Sequence, residues 1–336
     1  MKRTMMAANL HAPGDLRYEE VPMPVCAEDE VLLQIHYCGI CGSDIPRVLT
    51  KGTYHFPTIP GHEFSGVVVY DPQGKLNGTH ATVFPMLPCG TCAMCREKVY
   101  ELCENYDYYG SRRDGGFAEY LAVKRWNIVP LPQEIPLLDG SLCEPLAVAH
   151  HAAARLLVAK GDHVLISGAG PIGLLVGQWL RAMGAETVYF FDILPEKIDY
   201  ARKLGFSEYD GSMVDSALEG TGFSDALGKC LKAVKPQGRL VLMGNPSREV
   251  TLSQDIYWQI LRKELTVTGT WNSSYRSDRD DWAASVEALR TGTVQSAPVI
   301  SHVFPLHQVE EAFKVLKDRS RFKNRIVLKT VMEEEL

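Results

Sequence analysis

The 336-residue chain has no apolar run of transmembrane length, no low-complexity stretch and no internal repeat. A helical membrane span is therefore excluded, and so is a solenoid or propeller built from copies of one unit. Positive charge is not in surplus: 35 Lys and Arg stand against 41 Asp and Glu, for a net charge of −6. An acidic chain with no basic excess argues against nucleic acid and anionic membrane surfaces as partners. Met1-Lys2-Arg3-Thr4 leads into no apolar signal-peptide core, so a cytoplasmic location is expected. In a reducing compartment the nine cysteines stay as thiols, and clustered ones point to metal rather than to disulfides. Hydrophobic residues make up 46% and charged residues 23%, enough apolar material for a packed core of about two domains. Glu333-Glu334-Glu335 reads as a solvated end.

The chain is organised around Val164 to Gly173, in which an apolar strand feeds the turn Ser167-Gly168-Ala169-Gly170-Pro171-Ile172-Gly173 and opens an apolar helix. Gly168 suits a tight turn, Gly170 admits the backbone to a pyrophosphate, and Gly173 lets helix pack on strand; the helix N-terminus then offers its free amides to phosphate. A glycine pattern of this kind is weak evidence alone, and an ordinary strand–turn–helix is the plain alternative. The case strengthens at Thr187-Val188-Tyr189-Phe190-Phe191, a second apolar strand ending in Asp192, 19 residues past Gly173. That is where a dinucleotide fold sets the carboxylate for a ribose hydroxyl. An acid here favours NAD, since a 2′-phosphate would meet like charge, and Ile193-Leu194-Pro195 supplies no arginine to hold it.

Four cysteines stand as C-x₂-C-x₂-C-x₇-C at Cys89, Cys92, Cys95 and Cys103. Four thiolates so close in sequence can enclose one tetrahedral zinc with no open position, which makes the metal structural. An iron–sulfur cluster uses similar spacings. A second, sparser set consists of Cys41, within Gly39-Ile40-Cys41-Gly42-Ser43-Asp44, and His62-Glu63, within Pro60-Gly61-His62-Glu63-Phe64. Thiolate, imidazole and carboxylate near turns are the ligands of a catalytic zinc. Singly, each has a plainer reading, Cys41 as a small core residue and His62 as a hydrogen-bonded loop residue.

In order, the first 36 residues read as short strands punctuated by Pro13-Gly14 and Pro22 to Pro24. Glu144-Pro145 stands at the entrance of an apolar helix, and Lys160-Gly161-Asp162 hands over to the Gly168 unit, so a domain boundary is expected near residue 150. Beyond it, alternating strands and helices imply a parallel, doubly wound sheet.

These motifs together resemble the zinc-dependent medium-chain alcohol and polyol dehydrogenases over essentially the whole chain. The resemblance implies an α/β architecture: a GroES-like, β-rich catalytic domain from residues 1–150 and 272–336, and a Rossmann domain from 151–271 that binds NAD, with the active site in the cleft. It makes Cys41, His62 and Glu144 ligands of a catalytic zinc, with Glu63 joining them or holding a water, Ser43 relaying a proton and Asp44 steadying the imidazole. Cys89, Cys92, Cys95 and Cys103 become the ligands of a structural zinc, giving two zinc ions per chain. Gly168, Gly170, Pro171, Ile172, Gly173 and Asp192 become the cofactor-binding residues. The implied reaction is reversible oxidation of a secondary hydroxyl of a polyol or polyol phosphate, by an enzyme that pairs into homodimers or homotetramers. Arg112 and Arg113, adjacent and just before a glycine turn, are expected to clamp a substrate phosphate. Rival readings are a zinc dehydrogenase of an unphosphorylated polyol or of threonine, and a non-catalytic dinucleotide-binding sensor.

Two stretches depart from the family pattern. About ten residues join the Gly205 region to the strand at Val214, where a parallel crossover takes about a dozen or more. An abbreviated or absent crossover helix, a locally irregular sheet and weakened adenosine binding are expected there. The loop from Tyr70 to His80 is also short.

Overall fold

The computed structural model describes residues 3–318 and 322–331. The Glu333–Glu335 end and the first two residues lie outside the described residues. The chain divides into two compact units. The first comprises Met1–Glu144, Ser274–Arg290 and Val299–Leu336; the second comprises Pro145–Ser273 and Thr291–Pro298. Among the described residues no helix is long and apolar enough to cross a membrane.

The first unit is built on a seven-stranded sheet whose neighbours run Ile300–Pro305, Arg325–Lys329, Glu30–Ile40, Glu63–Tyr70, His80–Val83 and Ile128–Pro130. Tyr120–Lys124 pairs with the early part of Glu30–Ile40. Valine, isoleucine and leucine fill these strands, as suits a pleated surface packed on a core. Leu33, Ile35, Phe64, Val68, Phe117 and Leu328 are fully buried within it. Strand register, more than topology, decides which side chains meet. Gly39 pairs with Glu63 across one edge of Glu30–Ile40, and Ile40 pairs with Ile326 across the other. Three adjacent strand ends thus bring Cys41, Glu63 and Arg325 to one place.

The short loop expected between Tyr70 and His80 is organised by one side chain. The buried Asp71 carboxylate accepts the backbone N–H groups of Gln73, Lys75 and Leu76, each at 2.9 Å, and pairs with Arg125 at 2.5 Å.

The second unit holds a six-stranded parallel sheet ordered Ser207–Glu208, Thr187–Phe191, His163–Ser167, Val214–Glu219, Val234–Leu242, Thr266–Gly269. The first strand in sequence lies inside and the chain winds outward in both directions, the doubly wound order. Four crossovers carry helices: Pro171–Ala182, Pro195–Lys203, Ser224–Ala233 and Gln254–Arg262. The fifth does not, as its length suggested. Ser207–Glu208 survives as a two-residue edge strand, and residues 209–213 alone lead back to Val214. The step spans three strand spacings, about 14 Å, and six residue-to-residue steps reach about 20 Å when extended, so the chain just suffices. An Asx turn shapes it: Ser212 N–H donates to Asp210 Oδ1 at 2.8 Å, and Gly211 takes a φ of +96°. The sheet stays continuous, with a register shift between Val214 and Ser216.

The division between units falls at Glu144/Pro145 rather than near residue 150, and residues 291–298 join the second unit rather than the first. Side-chain bonds explain both shifts. Trp179 Nε1 donates to Leu146 O at 3.1 Å, tying the start of the helix Cys143–Arg155 to the helix Pro171–Ala182. Gln178 exchanges two hydrogen bonds with the Gln295 backbone, at 2.8 and 3.0 Å, and Tyr200 OH donates to Pro298 O at 2.5 Å.

Candidate metal and dinucleotide sites

In the first unit, one ligand atom each from Cys41, His62 and Glu63 lies within 4.8 Å of the other two. Asp44, fully buried in the short helix Asp44–Pro46, is the hub behind them. Its Oδ2 accepts Cys41 N–H at 3.0 Å, and its Oδ1 accepts Arg47 Nη1 at 2.5 Å. The same Oδ1 lies 3.6 Å from His62 Nδ1, an ion-pair approach too long for a hydrogen bond. Arg325 sets Nη1 2.9 Å from Glu63 Oε1 while donating to Ile40 O at 2.9 Å. The Tyr108 ring stands edge-on to His62 with centroids 5.7 Å apart.

Titration follows from this crowding. Burial alone would raise the Cys41 thiol, but the charge and hydrogen bond of His62, helped by Arg325, bring it down to about 7. Burial pushes Glu63 up to about 8, against the pull of Arg325. Burial disfavours the His62 imidazolium, yet Asp44 and Cys41 hold its proton well above the usual range. His62 Nδ1 and both Glu63 carboxylate oxygens are buried with no hydrogen-bond partner. A thiol, an imidazole and a buried carboxylate whose ligand atoms converge at one point fit a divalent zinc.

Glu144 stands apart from that group. It is buried in the first turn of Cys143–Arg155, and its Oε1 accepts a long 3.5 Å bond from Tyr108 OH. Burial lifts its carboxyl to about 7, with His62 and Glu63 among the charges acting on it. Its oxygens are not among the ligand atoms gathered within 4.8 Å, so the expected ligand set is assembled in three of its four members. Ser43 is exposed and lines a cavity beside this cluster.

The four-cysteine lobe closes as its spacing predicts. The sulfurs of Cys89, Cys92, Cys95 and Cys103 lie within 4.8 Å of one another. Cys89 and Cys95 are 3.9 Å apart, and Cys92 and Cys103 are 4.0 Å apart. Four ligands on zinc–sulfur bonds of about 2.3 Å would stand about 3.8 Å apart. Backbone N–H groups of Cys89, Cys92 and Cys95 donate to lobe sulfurs at 3.3–3.4 Å. Hydrogen bonds from the Thr91 side chain and backbone lower the Cys89 thiol to about 5. All nine cysteines are free of disulfides.

In the second unit, the parallel pairing of Ser167 with Phe191 sets Asp192 beside the glycine turn. Asp192 Oδ2 accepts Ala169 N–H at 2.9 Å, and Oδ1 accepts Leu194 N–H at 3.0 Å. Each oxygen keeps a lone pair for a ligand hydroxyl. Gly168 adopts a φ of +108°, and a Cβ on Gly173 would sit 2.0 Å from Gly168 O. Gly170 caps the helix Pro171–Ala182, with Pro171 in its first turn. A Cβ on Gly170 would meet only Lys197 Nζ, at 3.9 Å, so the approach above the turn is open.

The sequence reading missed Arg325, Tyr108 and Lys197. Arg325 and Tyr108 are remote in sequence from the motifs they serve, and only strand register delivers them. Lys197 was legible in principle, five residues past Asp192 in the first turn of a helix.

Arg112 and Arg113, expected as a phosphate clamp, each have partners within the protein. The Arg112 guanidinium is sandwiched between the Tyr54 and Tyr106 rings, 4.4 Å from each centroid, and donates to Tyr106 O at 3.0 Å. Arg113 Nε pairs with Asp107. Neighbours in the loop that carries them, Tyr106 and Asp107, engage both side chains, and Tyr54 reaches Arg112 from another loop.

Family models match both units, and known proteins share the fold. Residues 27–133 match the alcohol dehydrogenase GroES-like domain, and residues 171–291 match the zinc-binding dehydrogenase domain. Galactitol 1-phosphate 5-dehydrogenase of Escherichia coli K12 is 35% identical over 310 residues, covering 86% of this chain and 90% of that protein. The crystal structure of galactitol-1-phosphate dehydrogenase from Escherichia coli superposes with a TM-score of 0.89 at 32% identity, over 97% of this chain and 100% of that one. Sorbitol dehydrogenase of Bombyx mori is 29% identical over 94% of this chain and 97% of that protein. A zinc-binding dehydrogenase of Sinorhizobium meliloti 1021, solved bound to NADP, gives a TM-score of 0.90 at 26% identity, over 98% of this chain and 100% of that one.

Proposed function

The chain belongs to the zinc-dependent medium-chain dehydrogenases, in their polyol branch, and on that footing we propose that it reversibly oxidises a secondary hydroxyl of a sugar alcohol phosphate to a ketose phosphate, with NAD as the hydride acceptor. It is an oxidoreductase with a GroES-like unit and a Rossmann unit, and it uses zinc and a nicotinamide cofactor. The observation that carries the finer reading is the convergence of one thiol, one imidazole and one carboxylate at Cys41, His62 and Glu63. Likeness to galactitol 1-phosphate 5-dehydrogenase supports the substrate class.

Cys41, His62 and Glu63 would hold the catalytic zinc, with Glu144 beside them, and Cys89, Cys92, Cys95 and Cys103 would hold a second, structural one. Bound zinc supplies a Lewis acid to the substrate oxygen, and the nicotinamide supplies the hydride acceptor. The chain's own residues do the rest. Asp44 faces His62 Nδ1 and fixes the Cys41 backbone, orienting two ligands at once. Arg325 offsets the negative charge of Glu63. Ser43, exposed at the cluster's edge, takes the proton of the substrate hydroxyl at its Oγ and passes it to solvent. The Gly168–Gly173 turn receives the pyrophosphate, and Asp192 accepts from the adenosine ribose.

A homodimer is part of the same reading. Thr266–Gly269 ends the parallel sheet, and Tyr257, Leu261 and Trp271 near that edge are each more than half exposed. Open edges flanked by large apolar side chains favour pairing with a second copy.

The test is NADH formation, followed by ultraviolet absorbance, with galactitol 1-phosphate and galactitol in parallel. Wild type is expected to prefer the phosphate ester, and Cys41→Ser to lose turnover while keeping its fold. A wild type that prefers the free polyol overturns the substrate, and a fully active Cys41→Ser overturns the metal site.

A further inference from the structure

Beside the Cys41–His62–Glu63 cluster, the first unit carries a cavity of about 330 Å³ with Ser43, Arg47, Lys51 and Tyr54 in its wall and no carboxylate among the lining residues. The helix Asp44–Pro46 runs straight into a single wide turn, Arg47–Lys51. Its first and last residues both face the cavity, so two cations share one wall. The turn ends firmly at Gly52, whose φ is +81° and whose N–H donates to Arg47 O at 3.0 Å. A side chain at Gly52 would meet the Phe56 ring at 2.7 Å.

The charges are placed unequally. Arg47 Nη1 shares Asp44 Oδ1 with His62 Nδ1, at 2.5 and 3.6 Å, so the guanidinium lies within about 6 Å of the metal-site imidazole. Only 18% of the Arg47 side chain is exposed. Asp44 offsets one of the two positive charges. Lys51 is exposed and forms no ion pair among the described residues, so the second charge stands uncompensated in a chain whose net charge is −6. Tyr54, which also lines the cavity, lies against the Arg112 guanidinium, which lies in turn against Tyr106. Arg112 thus acts on this cavity as a positioning residue.

We propose that this cavity binds the phosphate group of the substrate, with Lys51 and the unshared N–H groups of Arg47 as its charged contacts. The inference rests on the reading of the chain as a polyol dehydrogenase. Arg47, held by Asp44, presents a planar donor edge of fixed direction, and Lys51 adds a mobile point charge. A polyol is flexible and offers several similar hydroxyls. Anchoring one end at Arg47, whose guanidinium neighbours the metal-site imidazole through Asp44, selects which carbon reaches the cluster.

Lys51 is the informative position, because Arg47 also supports Asp44 behind His62. Removing one charge-assisted hydrogen bond corresponds to about a 10- to 150-fold weakening. Lys51→Ala is expected to lower kcat/KM for galactitol 1-phosphate by that factor, chiefly through KM, with Lys51→Arg recovering most of it. Calorimetric titration of the zinc-loaded enzyme with inorganic phosphate should show the Kd rising by a similar factor in Lys51→Ala. Equal losses with galactitol and its phosphate ester would mean a structural role and overturn the subsite while leaving the enzyme reading intact. If neither polyol is turned over, the substrate reading fails and the phosphate titration decides alone. Binding weakened in Lys51→Ala sustains the subsite, and no binding by wild type overturns it.

Discussion

Arg325 Nη1 lies 2.9 Å from Glu63 Oε1, and the two side chains are 3% and 0% exposed. The pair joins the two strands that flank Glu30–Ile40, and it buries a carboxylate that desolvation already pushes up to about 8. Above about pH 8, where Glu63 is ionised, removing its partner leaves an uncompensated charge, which costs about 3–5 kcal/mol, whereas at lower pH the carboxyl takes up a proton and the cost is smaller. In the alkaline range Arg325→Met should lower the stability of the metal-free protein by about the full cost, and adding Glu63→Gln in the same chain should restore more than half. Urea melts in the presence of a chelator measure both. Arg325→Met melting with wild type would show that the pair contributes nothing to the fold.

Gly39 makes room for that same carboxylate. It is the register partner of Glu63, and a Cβ there would stand 2.4 Å from Glu63 Oε2 and 3.2 Å from its Cβ. The clash falls mainly on the far end of a flexible side chain, so Gly39→Ala should fold while Glu63 swings off the cluster. Displacing a group that shapes a metal site typically costs about 10- to 100-fold in metal affinity. Zinc competition against a chromophoric chelator measures it. Wild-type affinity in a normally folded Gly39→Ala would mean that Glu63 does not face the ion.

What could be read from the residues alone depends on how local each feature is. The cysteine lobe spans 15 residues, so spacing alone foretold sulfurs gathered within 4.8 Å. The Gly168 turn and Asp192 were legible because a strand, a turn and a helix announce themselves by period and glycine. The five-residue step at 209–213 was legible by length. Arg325 was not: its approach to Glu63 depends on the register of three strands, which no local pattern encodes. The surroundings of Arg112 and Arg113 were not legible either, because adjacency in sequence says nothing of what lies across the fold, here Tyr54 and, within the same loop, Tyr106 and Asp107. The domain boundary slipped for a similar reason, since Trp179 claims the start of a helix that precedes it by some thirty residues.

The cysteine lobe should separate stability from turnover. With short connecting segments and three N–H···S bonds, it has little apolar core of its own, so the ion it would bind supplies folding energy. Cys92→Ser, or prolonged treatment with a strong chelator, should lower the melting temperature and release metal. Cys41→Ser should leave the melting temperature nearly unchanged and abolish activity. Metal analysis of protein purified without chelator is expected to approach two zinc ions per chain. Fewer than one, or equal stability losses in the two variants, would count against two separate sites.

The choice between NAD and NADP should fall to Asp192. Its carboxylate is held by two backbone N–H groups, one from the glycine turn and one from its own loop, so its charge is fixed where the ribose would lie. A 2′-hydroxyl can donate to it, whereas a 2′-phosphate is repelled. Asp192→Asn keeps an acceptor for the Ala169 amide and removes the charge, so it should disturb the turn less than a smaller residue would. Lys197 already stands 3.9 Å from the Cβ position of Gly170; with the carboxylate neutralised, it becomes a cation with no competing anion on the turn. The ratio of kcat/KM with NADP to that with NAD should therefore rise in Asp192→Asn by about 10- to 150-fold, the range that one charge-assisted hydrogen bond is worth. Adding Lys197→Ala should reverse most of that rise. Steady-state kinetics with both cofactors at saturating polyol phosphate provide the measurement. A wild type that uses NADP as efficiently as NAD would sink the assignment of Asp192. A ratio unmoved by Asp192→Asn would show that the carboxylate serves the turn rather than the ribose.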